Sequence, residues 1–138
     1  MRIPGRHDER GALAVWTSLA LVAFIVLIGL GIDFAGHAAA EQEARQVAAQ
    51  AARAGGQAAD FTGEGHIGLA GQAAIVEANR YASASGYSAT VRVDAQRVHV
   101  EIDDRYTCVF LTIIGIGTLP VHAEATAEQV AVLNGGRR

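Results

Sequence analysis

Four polar side chains in the C-terminal third of the chain have the chemistry of metal ligands. His99, Glu101, His122 and Glu124 alternate with apolar residues in two segments that read as strands, so adjacent strands would carry them on one polar face. Imidazole nitrogen and carboxylate oxygen are common ligands of divalent cations. A strand face that is simply covered by water carries the same mixture, and the sequence favours that interpretation. We therefore predict no metal site and no cofactor.

The other reactive residues do not form a catalytic pattern. The single cysteine, Cys108, lies among apolar residues, which predicts a buried and unreactive thiol. Asp103-Asp104 is interpreted as a strand end followed by a turn or a helix cap. The glycines of residues 63–68 spell GxGxxG, but a helix rather than a strand is expected before them, so they do not indicate a dinucleotide site. We predict that the protein is not an enzyme.

The composition limits the partners that are expected. The chain has 138 residues, enough for one modest domain beside a membrane anchor. Every Lys or Arg in it is an Arg, and the net charge is −3. Because phosphate binding needs a clustered basic surface, we expect no nucleic-acid partner.

An uncharged apolar segment runs from Ala12 to Ile32. As a helix with a rise of about 1.5 Å per residue it would reach roughly 30 Å, the thickness of a bilayer core. A cleaved secretory signal is the alternative, but its apolar stretch is normally shorter and ends at a small-residue cleavage site. The sequence favours a retained transmembrane helix, in contact with lipid.

The charges that flank this segment predict its orientation. The basic residues before it are Arg2, Arg6 and Arg10, whereas the first charged residues after it are Asp33, Glu41 and Glu43. Since the basic flank of a span stays in the cytoplasm, we expect a single-pass protein of the cytoplasmic membrane with an extracytoplasmic C-terminal domain. The chain then divides into a cytoplasmic leader (1–11), a transmembrane helix (12–32), a helical stem (33–61) and a small head (62–138).

The stem is expected to continue the transmembrane helix, as one helix from about Gly11 to Ala54 or beyond. Mostly small apolar residues step along it by three and four, at Ala40, Ala44, Val47, Ala51, Ala54, Ala58 and Phe61. Such a stripe suits close packing against another helix. Two interpretations stay open: the stripe packs on the protein's own head, or it packs on neighbouring subunits.

The periodicity of the head predicts an α+β fold. A short helix is expected over residues 70–84, and period-two patterns on either side of residues 94–97 predict a β-hairpin. Residues 121–128 alternate in the same way and predict a third strand. The apolar segment 108–117 is too short to span a membrane and is expected to pack beneath the sheet as a short helix or buried turn. The prediction is a three-stranded antiparallel sheet with short helices.

The order of these parts resembles a known family. The short basic leader, "RGALAV", the apolar helix, "GIDFAGHAAAEQEARQVAAQAARAGG" and the closing "LPVHAEATAE" are similar to the TadE/TadG-like proteins of tight-adherence (Flp-type) pilus machines. The likeness covers nearly the whole chain. It implies a pseudopilin or minor pilus-assembly component with a type IV-pilin-like helix, whose partners are other pilus subunits, an inner-membrane assembly platform and a prepilin peptidase.

The resemblance also gives roles to residues at the start of the helix. It implies cleavage after Gly11, so that the mature chain begins at Ala12. Pilins usually carry a Glu at the fifth mature position, which pairs with the new terminal ammonium group of a neighbouring subunit. Trp16 occupies that position here and cannot neutralise a charge, although its indole suits a membrane–water boundary. This departure argues against a repeating shaft subunit and is compatible with a minor or tip subunit, or with an uncleaved anchor.

Asp33 directly follows the apolar segment, in the family-like stretch "GIDFAG". It is interpreted either as a charge that pairs with an Arg or with a polar group of a partner, or simply as the end of the apolar stretch. The pairs Gly31–Ala35 and Gly36–Ala40 have the small-xxx-small spacing that lets a second helix approach closely.

Two hypotheses of function follow. The first is a minor pseudopilin that assembles into a pilus or a related secretion filament. The second is an uncleaved, membrane-anchored binding module whose head recruits an envelope partner. Trp16 favours the second, whereas the Gly11 junction and the alanine stripe favour the first.

Overall fold

One very long helix forms the axis of the molecule. The computed structural model describes residues 8–61, 67–94 and 97–128, and helix α1 takes up Asp8–Phe61, 54 residues or about 80 Å. Helix α2, Ile67–Ala84, returns alongside it. The contacts of residue 50 with residue 81, and of residue 55 with residues 74 and 78, show that the two helices run antiparallel.

Three strands follow the helices in the order in which they occur in the chain. Strand β1 is Ala89–Asp94, β2 is Arg97–Thr107 and β3 is Thr118–Glu128. They form one antiparallel sheet in the order β1-β2-β3. Val91 faces Val100 across the first pair, and Val100 faces Ala125 across the second. A short 3-10 helix, Leu111–Ile114, lies between β2 and β3.

The core lies between the sheet and the second half of α1. Alternate residues of β2 point inward, so that Val98, Val100 and Ile102 are fully buried. The facing helix surfaces are almost entirely alanine, which lets both helices lie close to the sheet. The buried alanines of the two helices are Ala44, Ala48, Ala51, Ala52, Ala59, Ala74, Ala78 and Ala82. The predicted α+β fold, a long N-terminal apolar helix followed by a small head with a three-stranded antiparallel sheet, is confirmed.

Two local predictions were wrong. Asp103 and Asp104 do not end a strand, because β3 continues to pair with β2 beyond them and their backbone is held in the ladder up to Thr107. The segment 108–117 does contain a short helix, but it does not pack beneath the sheet, since α1 and α2 already fill that space. It lies instead at the end of the sheet, with Val109, Ile113 and Ile114 exposed.

Several predictions concern residues outside the described part. The leader residues 1–7 and the glycines at 63 and 65 belong to this group, as does the side chain of Phe61.

Candidate functional site at the junction of helix and head

The first part of α1 has no partner within the described chain. Side chains of residues 11–28 are all exposed, including large apolar ones such as Leu19, Phe24 and Ile28. By length and composition, α1 could cross a membrane. A core helix of a soluble protein passes the same test of composition, but its apolar side chains would be buried. In this chain the apolar side chains of residues 11–28 are exposed.

The residues of the predicted processing site lie on this exposed part. Gly11, Ala12 and Trp16 are all helical, and the indole of Trp16 is 70% exposed. A Cβ added at Gly11 would meet nothing within 4 Å. The hydroxyls of Thr17 and Ser18 donate back to the carbonyls of Leu13 and Ala14, so these two polar groups are satisfied within the helix.

Asp33 joins the helix to the head. Its carboxylate is fully buried and accepts three backbone hydrogen bonds, from the N–H groups of Val109 (2.7 Å), Phe110 (2.8 Å) and Leu111 (2.6 Å). These are the N–H groups at the start of the short 3-10 helix, which its own backbone cannot pair. Asp33 therefore caps a helix more than seventy residues away in the chain, and its partners are backbone groups rather than an Arg.

This geometry keeps Asp33 ionised. Burial by itself raises the pKa of the Asp33 carboxyl, but the N–H donors of Val109, Leu111 and Phe110 outweigh burial and hold the pKa below its ordinary value. The charge has a second effect nearby. Burial raises the pKa of the Cys108 thiol, and the Asp33 carboxylate raises it further. Cys108 is thus a buried, protonated thiol, as predicted from its apolar neighbours.

Two glycines on the same face of α1 admit aromatic rings from the head. Gly29 lies four residues before Asp33, and a Cβ there would fall 2.5 Å from a ring carbon of Phe110. Gly36 lies three residues after Asp33 and contacts the ring and hydroxyl of Tyr106 so closely that a Cβ has no room. Residues at these spacings share one helix face, so Asp33 and both glycines form a single contact with the segment 106–111.

The two predicted small-xxx-small pairs are in different environments. Gly36 and Ala40 face the protein's own head, where Ala40 packs against the core. Gly31 and Ala35 are exposed, and a Cβ at Gly31 would meet nothing within 4 Å. Within the described chain, the Gly36–Ala40 pair is covered and the Gly31–Ala35 pair is not.

The stripe along the stem packs on the head. Ala44 and Ala51 are fully buried, Val47, Ala54 and Ala58 are half-buried, and the most buried line moves to Gly55 and Ala59 toward the end of the helix. A straight helix has 3.6 residues per turn, so a heptad-like pattern of 3.5 drifts around its surface. This drift explains why the predicted line and the buried line differ by one residue there.

The polar face of the sheet carries the predicted histidines, but in different pairs. Asp103 lies opposite His122, and the imidazole Nδ1–H donates to its carboxylate at 2.7 Å. The half-buried Glu101 lies beside this pair, and one carboxylate oxygen each of Glu101 and Asp103 and one ring nitrogen of His122 lie within 4.8 Å of one another. His99 instead contacts the hydroxyl of Thr126 at 2.8 Å. The sequence did not predict Asp103 as a member of this group, because the pattern placed Asp103 at a strand end. The strand register places Asp103 opposite His122.

The Asp103–His122 pair gives a testable pH effect. The hydrogen bond to Asp103 raises the pKa of His122 above its ordinary value; partial desolvation opposes this, and the charges of Asp103, Glu101 and Glu124 reinforce it. We expect D103N to lower the pKa of His122, as measured by histidine side-chain NMR of the full chain in micelles. The E43Q substitution, on the stem, is the control. An unchanged titration in D103N would contradict the pairing.

The sign of the linked stability effect follows from the direction of that shift. Because the pKa of His122 is higher in the folded state, the pair stabilises the fold below the unfolded value of about 6.5, and this contribution is lost as pH rises through the folded pKa. Both side chains are largely exposed, so the effect on the free energy of unfolding is expected to be small.

Comparison with known proteins does not assign the chain to a family. No family model matches the chain, and neither a curated protein nor a solved structure matches it. Its class is therefore described by its own architecture: a head of two helical segments and one sheet, built on a helix whose first half could span a membrane.

Proposed function

We propose that the protein is a minor pseudopilin, a structural and assembly component of a tight-adherence, type IV-like pilus or a related secretion filament. The observation that supports this most is the division of α1 into two parts. Residues 11–28 are uncovered and carry no charge, whereas the part from Gly29 onward carries the head. A subunit of this shape can keep its first part in lipid and later exchange lipid for the helices of other subunits.

The small residues at the junction fit this mechanism. The head covers Gly36 and Ala40, so that these residues fix the head to its own helix. Gly31 and Ala35 remain exposed and offer the close-packing surface that a neighbouring helix needs. In the assembled filament, we expect helix contacts to lie at or below the Gly31–Ala35 pair and contacts between heads above it.

The proposed location is the cytoplasmic membrane, with the N-terminus in the cytoplasm and the head outside. The flanking charges support this orientation, since the arginines precede the apolar segment and Asp33, Glu41 and Glu43 follow it. Partners are other pilus subunits, the inner-membrane assembly platform and a prepilin peptidase.

Trp16 supports a minor rather than a repeating role. A processed chain would begin with the ammonium group of Ala12, and an unpaired charge in an apolar bundle is unfavourable. Trp16 cannot supply the carboxylate that would pair with the ammonium of another subunit. A subunit at the tip or at the start of assembly has no neighbour above it and does not need that carboxylate.

The same residue supports a second candidate, an uncleaved single-pass anchor whose head recruits an envelope partner. An exposed indole near the end of a span is typical of a membrane–water interface. The two candidates differ in whether the bond between Gly11 and Ala12 is cut.

The test is the intact mass and N-terminal sequence of the membrane-extracted protein, made with and without the host's prepilin peptidase. We expect a chain that begins at Ala12 only when the peptidase is present. The G11V variant should stay uncleaved under both conditions, because a branched side chain replaces the small residue at the junction. The matched control G5V changes a leader glycine away from the junction and should be processed normally.

Two results would count against the proposal. A chain that keeps its leader in the presence of an active peptidase would favour the uncleaved anchor. A chain cut beyond residue 32 and recovered free of membrane would contradict both candidates and indicate a cleaved signal.

A further inference from the structure

The segment between β2 and β3 exposes apolar side chains that the described residues 8–61, 67–94 and 97–128 leave uncovered. In this segment, residues 108–117, which we call the apolar loop, Ile113 is 82% exposed and Ile114 70% exposed, and Val109 and Ile116 are also open. No charged side chain occurs between Arg105 and His122. Loops that face water are normally polar, and a contiguous exposed apolar patch usually marks a surface that contacts something.

The loop lies beside the last turn of the apolar helix. Its Phe110 ring packs on Gly29, and its backbone is held by Asp33. These contacts place the loop at the level of residues 29–33, which is the end of the uncharged segment that closes at Ile32. At about 1.5 Å per residue, Gly29 lies roughly 6 Å along the axis from Asp33, toward the membrane.

Most backbone N–H groups of the loop have an acceptor within the described part of the protein. Asp33 accepts the N–H groups of residues 109–111, and Cys108 N–H donates to the carbonyl of Gly117. The N–H groups of residues 113, 115 and 116 donate to carbonyls within the loop. The Thr112 hydroxyl donates within the loop as well, to the carbonyls of Cys108 and Val109. Lipid-exposed irregular backbone is excluded from the hydrocarbon core, so a loop of this kind is expected at the membrane–water boundary, where water reaches its remaining polar groups.

We propose that the apolar loop dips into the headgroup–acyl boundary of the outer leaflet, where Val109, Ile113 and Ile114 contact the first carbons of the acyl chains. This inference rests on the proposed membrane anchoring of α1. The loop then fixes the head at the membrane surface as a second contact beside the helix.

Lipid fits the loop better than a second copy of the chain does. The exposed side chains of the loop continue the apolar surface of the span, since Ile28 and Ile32 on α1 are exposed at the same level. A helix of another subunit would pack on the small residues Gly31 and Ala35, whereas the loop offers large branched side chains. The bilayer that surrounds the span reaches the loop without any further partner.

The experiment places an environment-sensitive fluorophore at single cysteines of the full chain in a C108A background. The label is attached at I113C in the loop, at I25C in the span and at D94C at the far end of the β1–β2 hairpin. Each protein is reconstituted at low density into phosphatidylcholine–phosphatidylglycerol vesicles that contain lipids with nitroxide-labelled acyl chains. All three positions are exposed, so the label is not expected to disturb the fold.

We expect the labels at positions 25 and 113 to be quenched several-fold more than the label at position 94. Strong quenching at 25 with a label at 113 no more quenched than at 94 would overturn the loop proposal and leave the anchor intact. An apolar emission at 113 without lipid quenching would overturn it in favour of a protein partner. Absence of quenching at 25 would overturn the anchoring itself, and the loop proposal with it.

Discussion

The D33N substitution is expected to release the apolar loop from the helix. Asn keeps the size of the side chain and one neutral acceptor oxygen, but its amide nitrogen is a donor and cannot accept the N–H groups that the second carboxylate oxygen now holds. Hydrogen bonds to a charged acceptor are stronger than neutral ones, and three of them end on this one carboxylate. Burial leaves no water to replace them. We expect the largest loss of local order from any single substitution that keeps side-chain volume.

The measurement is amide hydrogen exchange of the full chain in micelles, read at residues 109–111. In the natural chain these three N–H groups should exchange slowly, and in D33N they should exchange much faster, with smaller changes in the strands. The E43Q variant neutralises an exposed carboxylate on the same helix and is the matched control. Equal protection in D33N and the natural chain would mean that the carboxylate does not hold the segment.

The pH dependence of amide protection in D33N shows how much of the stabilisation comes from the charge of Asp33 rather than from its size. Because the pKa of Asp33 is lowered in the folded state, its ionised form stabilises the fold above the unfolded value of about 3.9, and this stabilisation is lost as pH falls through the folded pKa. Protection at residues 109–111 should therefore fall on acidification below about pH 4 in the natural chain. In D33N that part of the acid response should be absent.

The elements of this fold could be predicted from the sequence because their signals are local. Alternating Val and polar residues predicted β1 and β2, and alanine-rich segments predicted both helices. The continuation of α1 through Gly55-Gly56 was less clear, because two adjacent glycines normally weaken a helix. The close contact of α1 with α2 and the sheet explains why a glycine occurs at position 55, since Gly55 lies against Ala74, Ala78 and Val98.

The site could be predicted only in part, because its contacts are not local. Asp33 stands out in the sequence at the end of the apolar segment, but its partners lie more than seventy residues away and are backbone groups, which leave no side-chain pattern in the sequence. One signal was present. Gly29 and Gly36 lie four residues before and three after Asp33, and that spacing marks a helix face made for close contact. The sequence did not show that Tyr106 and Phe110 cover this face, because their position depends on where β2 ends, at Thr107.

The strand register was also beyond prediction from the pattern alone. A period of two tells which side chains share a face, but not which residues lie opposite one another. The sequence placed both histidines on a polar face, and the register decided that His122 meets Asp103 while His99 meets Thr126.

A pair of neighbouring glycine substitutions is expected to separate the packing of α1 from its helix propensity. Replacing either Gly55 or Gly56 by Ala should favour the helix by about 1 kcal/mol, because both glycines lie inside α1. The surroundings differ. A Cβ at Gly55 would fall 2.9 Å from the carbonyl oxygen of Ala74 and 3.2 Å from Ala78 and Val98, whereas a Cβ at Gly56 would meet Ala127 at an ordinary 3.9 Å.

The neighbours of Gly55 cannot easily yield. One is backbone, and the others are short side chains without a flexible end, so an added methyl group must push α2 and the sheet away from α1. Overpacking of this kind typically destabilises by about 1–3 kcal/mol. Since the gain in propensity is shared, we expect G55A to be less stable than G56A by about that amount.

The comparison is made by pulse proteolysis of both variants and the natural chain in increasing urea, with the full chain kept in micelles. The midpoint of G55A should fall below that of the natural chain, and the midpoint of G56A should equal or exceed it. If both variants gain stability alike, α1 and α2 separate without penalty, and the close approach at Gly55 does not hold the head to its helix. A loss in G55A alone would identify this glycine as the position where one end of the head is fixed to α1, just as Gly36 and Asp33 fix the end beside the apolar segment.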